Sequence, residues 1–365
     1  MTEFIGGLRL AEIFYAENVK PIIGSQYPEL EYSAGLIGSG SEVLGYDDEV
    51  STDHDWGPRL MIFLRADDHS LFSKEIIALL AQKLPRRCHG YPTGFTAPDP
   101  DDNGTQRMDF ESDRPLNHGV ELHTIRGYFA DYLGVDIESD TSAGDWLTLP
   151  QHKLLGVTSG GLFRDDLELR GVRHRFAYYP RDVWLYMLAS GWNRIGQEEH
   201  LMGRAGSTGD EIGSAIIAVR LVRDIMNLCF LMERRYAPYS KWLGRAFGEL
   251  PEAAEIGPYL AAVVTADGWQ VREDALVEAY ECLAARHNAL RLTPLLPGRV
   301  TTFYGRPYRV IQGGRFARAI VDEINDNTIK NLTRKPLIGN IDQFSDSADF
   351  LSHIIWRERI RALYS

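Results

Sequence analysis

The spacing of apolar residues differs between the first 150 residues and the rest of the chain. In the first part, apolar residues either recur at helical spacing or form short runs bounded by turn-forming residues. These patterns predict helices over residues 4–20 and 71–84, each ending before a proline, and strands over 32–37, 59–65 and 119–125. Together they predict a small mixed sheet covered by helices.

The strand predicted over residues 119–125 has a clear period of two. Val120 and Leu122 fall on one face, and Glu121 and His123 fall on the other. This alternation predicts a half-buried strand that presents two titratable side chains to the same side. The preceding residues 85–117 are rich in turn formers and predict a long loop region.

After residue 150 the pattern becomes helical. Apolar stripes predict helices over residues 181–195, 211–235, 271–290, 315–332 and 346–363. The best amphipathic stripe lies in 211–235 and comprises Ile212, Ala215, Ile216, Val219, Val222, Met226, Cys229 and Phe230.

The fold class predicted from these patterns is α+β. We predict a sheet-containing domain over residues 1–150, a helical domain over 151–298 and a C-terminal appendage over 299–365. The appendage begins with a segment that combines five arginines with aromatic residues and has no acidic residue up to position 318. That mixture suits contact with RNA, but docking as a strand pair on an acidic body is the favoured interpretation.

Composition narrows the classes of function. A formal net charge of −12 disfavours a general nucleic-acid or anionic-membrane binder. The three cysteines are far apart and lack CxxC spacing, which is typical of reduced thiols in a cytoplasmic protein. The N-terminal residues do not resemble a signal peptide, and no run of 18 apolar residues occurs, so we expect no membrane segment.

Glycines between residues 38 and 45 invite comparison with phosphate-binding loops. A P-loop requires Lys followed by Ser or Thr after its last glycine, but Gly45 is followed by Tyr46. A dinucleotide-binding loop requires a third glycine at position 43, which is Val43. What remains is a Gly38-Ser39 pair opening a short helix, whose backbone N–H groups could receive a phosphate.

Two aspartates, Asp53 and Asp55, precede the apolar run that begins at Leu60. Alternation on a strand would place both carboxylates on the same face. Two carboxylates that point the same way repel each other unless a cation lies between them, and hard oxygen ligands suit Mg²⁺. The pattern therefore predicts an Mg²⁺ ion shared with the phosphates of a bound ligand.

Gly38-Ser39, Gly45 and the segment from Ser51 to Asp55 together resemble the signature of the nucleotidyltransferase superfamily, which includes DNA polymerase β and kanamycin nucleotidyltransferase. In that superfamily a Gly-Ser pair binds a nucleoside triphosphate, an Asp-x-Asp/Glu pair holds Mg²⁺, and a later strand supplies a third carboxylate. The wider pattern, including DHDWGPR and YAPYSKWLGRAF, is similar to an uncharacterised bacterial branch of these proteins.

This resemblance implies a role for each matching residue. Asp53 and Asp55 would hold Mg²⁺, and Glu121 would complete the metal site, with Asp109 as its rival and His123 as a base or orienting group. The donor, expected to be ATP, would bind at Gly38, Ser39, Gly40 and Ser41, with Lys241 reaching its triphosphate.

The implied reaction transfers a nucleoside monophosphate to an unidentified acceptor, a small molecule or a protein hydroxyl. Two alternatives stay open. One is a non-catalytic nucleotide-binding or regulatory module on the same fold, and the other is an RNA-directed transferase that uses the arginines of residues 299–318. Fold alone cannot choose the acceptor, and the sequence leaves the oligomeric state open.

Overall fold

The computed structural model describes residues 4–102 and 104–365. The chain divides into two compact units. The first comprises the described residues up to Asp140 together with Lys153–Ala177, and the second comprises Thr141–His152 and Tyr178–Ser365. Compared with the predicted domains, residues 153–177 therefore belong to the sheet-containing unit. Residues 299–365 belong to the same unit as the large helices.

The strands, in chain order, are β1 Ser33–Leu36, β2 Arg59–Leu64, β3 Arg87–Cys88, β4 Tyr91–Pro92, β5 Gly119–Thr124, β6 Gly161–Asp165, β7 Thr301–Phe303 and β8 Arg306–Val310. One four-stranded sheet has the order β5-β2-β1-β6. The β2–β5 pair is parallel, whereas β1 is antiparallel to both β2 and β6. The predicted mixed sheet is thus confirmed; β6 was not predicted.

The helices are α1 Gly7–Phe14, α2 Lys20–Gln26, α3 Ser41–Leu44, α4 Ala66–Lys83, α5 Ile125–Leu133, α6 Ala143–Thr148, α7 Gln151–Thr158, α8 Leu169–Arg175, α9 Arg181–Glu198, α10 Leu201–Ser207, α11 Glu211–Met232, α12 Ser240–Gly248, α13 Ala253–Thr265, α14 Trp269–Ala289, α15 Gly313–Asp322, α16 Asn327–Thr333, α17 Ile341–Phe344, α18 Ala348–Ser352 and α19 Arg357–Arg361. Helix and strand are both present, and helix predominates. None of the helices in the described part of the chain is long and apolar enough to cross a membrane.

The N-terminal helix was predicted to end before Pro21, but the helical chain continues past it. A π-helical turn over Tyr15–Val19 follows α1 and leads directly into α2, which continues to Gln26. The π turn changes the hydrogen-bond register just before the proline. Pro21 therefore lies in the first turn of α2, where its missing N–H is tolerated.

The two faces of the sheet differ in character. Leu60, Ile62 and Val120 belong to a buried cluster with residues of α1, α2 and α4, among them Leu10, Phe14, Ile23, Ile76 and Leu80. On the other face Met61 pairs with Glu121, and Phe63 pairs with His123. The predicted alternation of β5 is confirmed, and it directs the titratable pair away from the cluster.

The predicted stripe of α11 is wrong in its N-terminal half. Ile212, Ile216 and Val219 are 77%, 58% and 49% exposed. The residues buried there are Ser214 and Ala218, and the stripe continues through Leu221. Small residues allow neighbouring helices to approach closely, so a count of large apolar residues selects the wrong face.

The C-terminal helices are shorter than predicted. The stretch 315–332 is divided between α15 and α16. The interruption is stabilised by Asp182, whose carboxylate accepts hydrogen bonds from the N–H groups of Asn325 (2.7 Å) and Asp326 (2.5 Å). The stretch 346–363 is likewise broken into short turns around α18 and α19.

His287, on α14, lies in the core of the second unit. It is 1% exposed and packs edge-on against Trp192 and Phe316, at ring distances of 5.8 and 5.1 Å. Its Nε2 lies 3.1 Å from the hydroxyl of Thr293. Burial lowers the pKa of His287 to about 4 because the charged imidazolium would lose its hydration.

We expect His287 to make the protein acid-sensitive. The pKa of His287 in the folded state lies below its value of about 6.5 in an unfolded chain. The free energy of unfolding is therefore unaffected by this group above pH 6.5 and decreases as pH falls towards 4, because the unfolded chain then binds the proton more readily. The loss should reach about 3 kcal/mol. Urea unfolding between pH 7 and pH 4 should show this component in the wild type but not in His287→Gln. The exposed-site variant His353→Gln should behave as wild type, and equal pH dependence in all three proteins would contradict the assignment.

Candidate functional site

The Gly38-Ser39 pair forms a sharp turn after β1. Gly38 and Gly40 have φ values of +93° and +138°, a backbone conformation that residues with a Cβ atom rarely adopt. The N–H of Gly38 donates to the carbonyl of Gly156 at 2.9 Å. As predicted, a short helix, α3, opens at Ser41, and it ends at Gly45 with φ +74°.

Arg59, the first residue of β2, holds this turn. Its guanidinium donates to the carboxylate of Glu42 (Nε to Oε1, 2.7 Å) and to the carbonyl of Ser39 (2.8 Å). The Glu42 side chain is 3% exposed, so its ion pair with Arg59 is shielded from solvent on the carboxylate side. The Ser39 turn is therefore fixed to the start of the central strand.

Two tyrosines of α5 link the turn to β5. The hydroxyl of Tyr132 lies 3.4 Å from that of Ser39, and its ring stacks on Tyr128 at 5.5 Å with an interplanar angle of 7°. Tyr128 packs edge-on against His123 at 5.5 Å. The hydroxyl of Tyr128 is buried without a hydrogen-bond partner, and a Cβ atom placed on Gly38 would lie 2.4 Å from it.

Glu121 and His123 form a pair on the exposed face of β5. The Nε2 of His123 lies 3.0 Å from a carboxylate oxygen of Glu121, whose side chain is 54% exposed. The hydrogen bond from His123 lowers the pKa of Glu121, and the positive charges of His123 and Arg59 lower it further, against the opposing effect of partial burial. The carboxylate is therefore held ionised on the side of the sheet where Arg59 holds the Ser39 turn.

Asp53 and Asp55 do not lie on a strand, so this prediction was wrong. A 3₁₀ turn covers Val50–Thr52, bends follow, and β2 begins only at Arg59. The parallel neighbour β5 begins at Gly119, directly opposite Arg59, so it does not extend far enough to pair with residues 53–55.

The two aspartates instead belong to a loop. Asp55 has φ +47°; its carboxylate accepts from the N–H of Gln106 at 2.9 Å, and its own N–H donates to the Gln106 carbonyl at 2.7 Å. The carboxylate of Asp53 lies 2.9 Å from the Nδ1 of His54 and is 67% exposed. Trp56, buried and hydrogen-bonded to Asp47 at 3.0 Å, anchors the end of this loop.

The donors for a metal ion fit Mg²⁺ in kind. Asp53 and Asp55 supply exposed, hard carboxylate oxygens, and Mg²⁺ in proteins is usually bound by one or two carboxylates together with substrate phosphates. Among the described residues there is no group of three or more His, Cys, Asp or Glu side chains that could hold a metal ion. Glu121 is thus not grouped with the two aspartates.

The other predicted site residues have different surroundings. The Oδ1 of Asp109 accepts from the N–H of Glu111 at 2.9 Å, and its N–H donates to the Gly94 carbonyl, so it stabilises a turn. Lys241 belongs to the second unit, at the start of α12, where its Nζ lies 4.8 Å from the ring centre of Trp242. Both assignments stay predictions.

Lys153 was not identified from the sequence. It is 8% exposed and lies in the first unit; its Nζ donates to the Tyr132 carbonyl at 2.9 Å and lies 4.8 Å from the centre of that ring. Nothing in the neighbouring residues distinguishes this lysine. The i, i+4 spacing of Tyr128 and Tyr132 could have pointed to this part of the site, since it places two aromatic rings together on one face of a helix.

A wide groove of the first unit lies elsewhere. It has a volume of about 840 Å³ and opens at the carboxyl ends of β2 and β5, next to Arg65 and Arg126. The Ser39 turn lies at the opposite end of the strands, because β1 runs antiparallel to β2 and ends beside the start of β2. Both arginines already pair with carboxylates: Arg65 with Glu31, and Arg126 with Asp136 and Glu138.

Comparison with known proteins adds one finding. The sequence profile of a family described as "Domain of unknown function (DUF4037)" matches residues 146–243, a range that enters both units. No curated protein and no solved structure matches the chain.

Proposed function

We propose that this protein is an Mg²⁺-dependent nucleotidyltransferase with a nucleotidyltransferase-type fold in its first unit. It transfers a nucleoside monophosphate from a nucleoside triphosphate, expected to be ATP, to a hydroxyl of a small molecule or protein, and releases pyrophosphate. The observation that carries the proposal is the position of the Ser39 turn and of Glu121 on one side of the sheet, joined by Arg59, Tyr128 and Tyr132.

The turn binds the triphosphate. The backbone amides of residues 39–41 and the Ser39 hydroxyl would donate hydrogen bonds to phosphate oxygens, whereas the N–H of Gly38 already donates to the Gly156 carbonyl. Arg59 keeps the turn in place through the Ser39 carbonyl. Its charge is largely neutralised by Glu42, which makes it a positioning residue rather than a phosphate ligand.

Asp53 and Asp55 would hold Mg²⁺, which when bound neutralises phosphate charge and lowers the pKa of the attacking hydroxyl. Glu121, kept ionised by His123, takes the proton of the attacking hydroxyl. Tyr128 and Tyr132 form the wall between Glu121 and the turn and exclude water there.

Calorimetric titration of ATP in the presence of Mg²⁺ and of EDTA tests the site. We expect the double variant Asp53→Asn with Asp55→Asn to bind ATP in Mg²⁺ no more tightly than wild type does in EDTA. Asparagine retains the oxygen that accepts from Gln106, so the loop should keep its conformation. Glu49→Gln, which removes an exposed carboxylate from the same loop, serves as the charge control and should bind like wild type.

Two results separate the alternatives. Unchanged Mg²⁺-dependent ATP binding by the double aspartate variant would overturn the metal assignment. Normal binding by wild type without pyrophosphate release, tested with small hydroxyl compounds, proteins and RNA as acceptors, would instead support a non-catalytic nucleotide-binding module.

A further inference from the structure

The segment 299–318 contains two kinds of arginine. Arg299 forms an ion pair with Glu281, and Arg309 pairs with Glu273 at 2.9 Å and with Asp274. Arg315 donates to backbone carbonyls, including that of Ile311 at 2.9 Å. These three stabilise the docking of the hairpin β7–β8 and α15 within the second unit, in agreement with the favoured sequence interpretation.

Arg306 and Arg318 are different. Neither forms an ion pair with any carboxylate in the described part of the chain, and the same holds for Arg204 on α10. Burial lowers the pKa of His200, and the charges of Arg204 and Arg306 lower it further, which places both guanidinium groups near that imidazole. In a chain of net charge −12, three uncompensated arginines create a local positive field.

Aromatic rings accompany these charges at the tip of the hairpin. Tyr304 is 91% exposed and has φ +48°, so packing does not explain its presence there. Phe303 beside it packs against His200 at 4.1 Å and against Tyr304 at 4.9 Å, and the Arg306 guanidinium lies 5.9 Å from the Phe303 ring centre. We call Arg204, Phe303, Tyr304, Arg306 and Arg318 the hairpin patch.

A cavity of about 220 Å³ opens beside the patch, and its lining includes Phe303, Tyr304, Gln312, Arg315 and Arg318. Glu199, a buried acid, also lines the cavity, but its carboxylate is occupied by backbone N–H groups. Its carboxylate accepts the N–H groups of Ile311 (2.7 Å), Gln312 (3.0 Å) and Gly313 (3.2 Å) at the start of α15. The cavity is therefore walled by two aromatic rings and by the guanidinium group of Arg318, which forms no ion pair in the described part of the chain, while Arg315 lies within the field of Glu199.

We propose that the hairpin patch binds single-stranded nucleic acid. Arg204, Arg306 and Arg318 contact phosphates, and Tyr304 stacks on a base whose neighbour lies against Phe303. Interleaved rings and guanidinium groups favour this ligand over an acidic peptide, which would use the charges but leave the exposed ring without a planar partner. The proposal rests on the second unit alone and does not depend on nucleotidyl transfer.

Fluorescence anisotropy with the full chain tests the proposal. Labelled single-stranded RNA and DNA of about 12 nucleotides, and the corresponding duplex, are titrated in EDTA at several salt concentrations. We expect binding to the single strands that weakens with salt. Arg306→Ala with Arg318→Ala should weaken it about tenfold or more and reduce the salt slope by about 1.4, the loss of two phosphate contacts.

The aromatic contribution is tested separately. Tyr304→Ala should weaken binding about tenfold, whereas Tyr304→Phe should retain it, because stacking needs only the ring. Arg9→Ala, which removes one positive charge from an exposed side chain of the first unit, should leave affinity unchanged. At such exposed positions the variants should keep the wild-type circular dichroism.

Four outcomes would overturn the proposal: no salt-dependent binding, equal binding of the duplex, binding of AMP as tight as that of the oligonucleotide, or displacement of the oligonucleotide by polyglutamate at equal charge concentration. None of these measurements involves ATP and Mg²⁺. Failure here is therefore distinguishable from failure of the proposed transferase activity.

Discussion

Replacing Gly38 with alanine is expected to lower the free energy of unfolding by about 3 kcal/mol and to abolish ATP binding. Two effects add. At φ +93° a side chain strains the backbone, and the new Cβ would lie 2.4 Å from the Tyr128 hydroxyl. Because Tyr128 is buried between Tyr132 and His123, it cannot move aside easily, so the Ser39 turn must shift.

The two effects can be separated by matched variants. Gly45 has φ +74°, but a Cβ added there would have no atom within 4 Å, so Gly45→Ala measures backbone strain alone, about 1 kcal/mol. In Tyr128→Phe the nearest ring carbon is 3.7 Å from the Gly38 Cβ position, an ordinary contact. Adding Tyr128→Phe to Gly38→Ala should therefore recover the steric part of the loss.

Urea unfolding of the wild type and of these four variants gives the free energies to compare. Tyr128→Phe alone should cost little, since the buried hydroxyl has no hydrogen-bond partner to lose. The close contact between the turn and α5 would be contradicted if Gly38→Ala were no less stable than Gly45→Ala. It would also be contradicted if adding Tyr128→Phe to Gly38→Ala did not raise the free energy of unfolding.

The sheet was predictable because short strands leave a local signal. The apolar run around Ile62 and the alternation of Val120 with Glu121 specify which face of β2 and β5 is buried, and the structure confirms both. β6 was missed because Gly161–Asp165 is only partly buried along its length, and it therefore lacks both a continuous apolar run and a strong alternation.

The candidate site was predictable only in part. Gly38 and Ser39 carry a turn signal that does not depend on distant residues. The conformation of Asp55 is set instead by Gln106, about fifty residues away, and the loop that carries both aspartates is set by the point at which β5 begins. Local alternation cannot contain that information, because a strand forms only where a partner strand is present. The same limit hid Lys153, whose environment is made by Tyr132.

Glu121→Gln is expected to reduce kcat by about 10²- to 10⁴-fold while leaving ATP affinity close to wild type. Glutamine keeps the shape and one acceptor oxygen for His123, but it can neither take a proton nor balance a cation's charge. Asp109→Asn is the matched control: it removes the charge of the rival carboxylate, whose oxygen serves the N–H of Glu111 and can still do so in asparagine. Pyrophosphate release at saturating ATP measures both.

His123 provides the sharper form of this test. Its hydrogen bond is the largest cause that lowers the pKa of Glu121, with the charges of His123 and Arg59 beside it, so in His123→Phe that pKa should rise towards the ordinary value of a glutamate. If Glu121 acts as the base, the acid limb of the kcat/KM profile must move to higher pH in this variant, because the carboxylate then protonates sooner as pH falls. A large loss in Asp109→Asn with none in Glu121→Gln would transfer the role to Asp109. An unmoved acid limb would show that Glu121 is not the base.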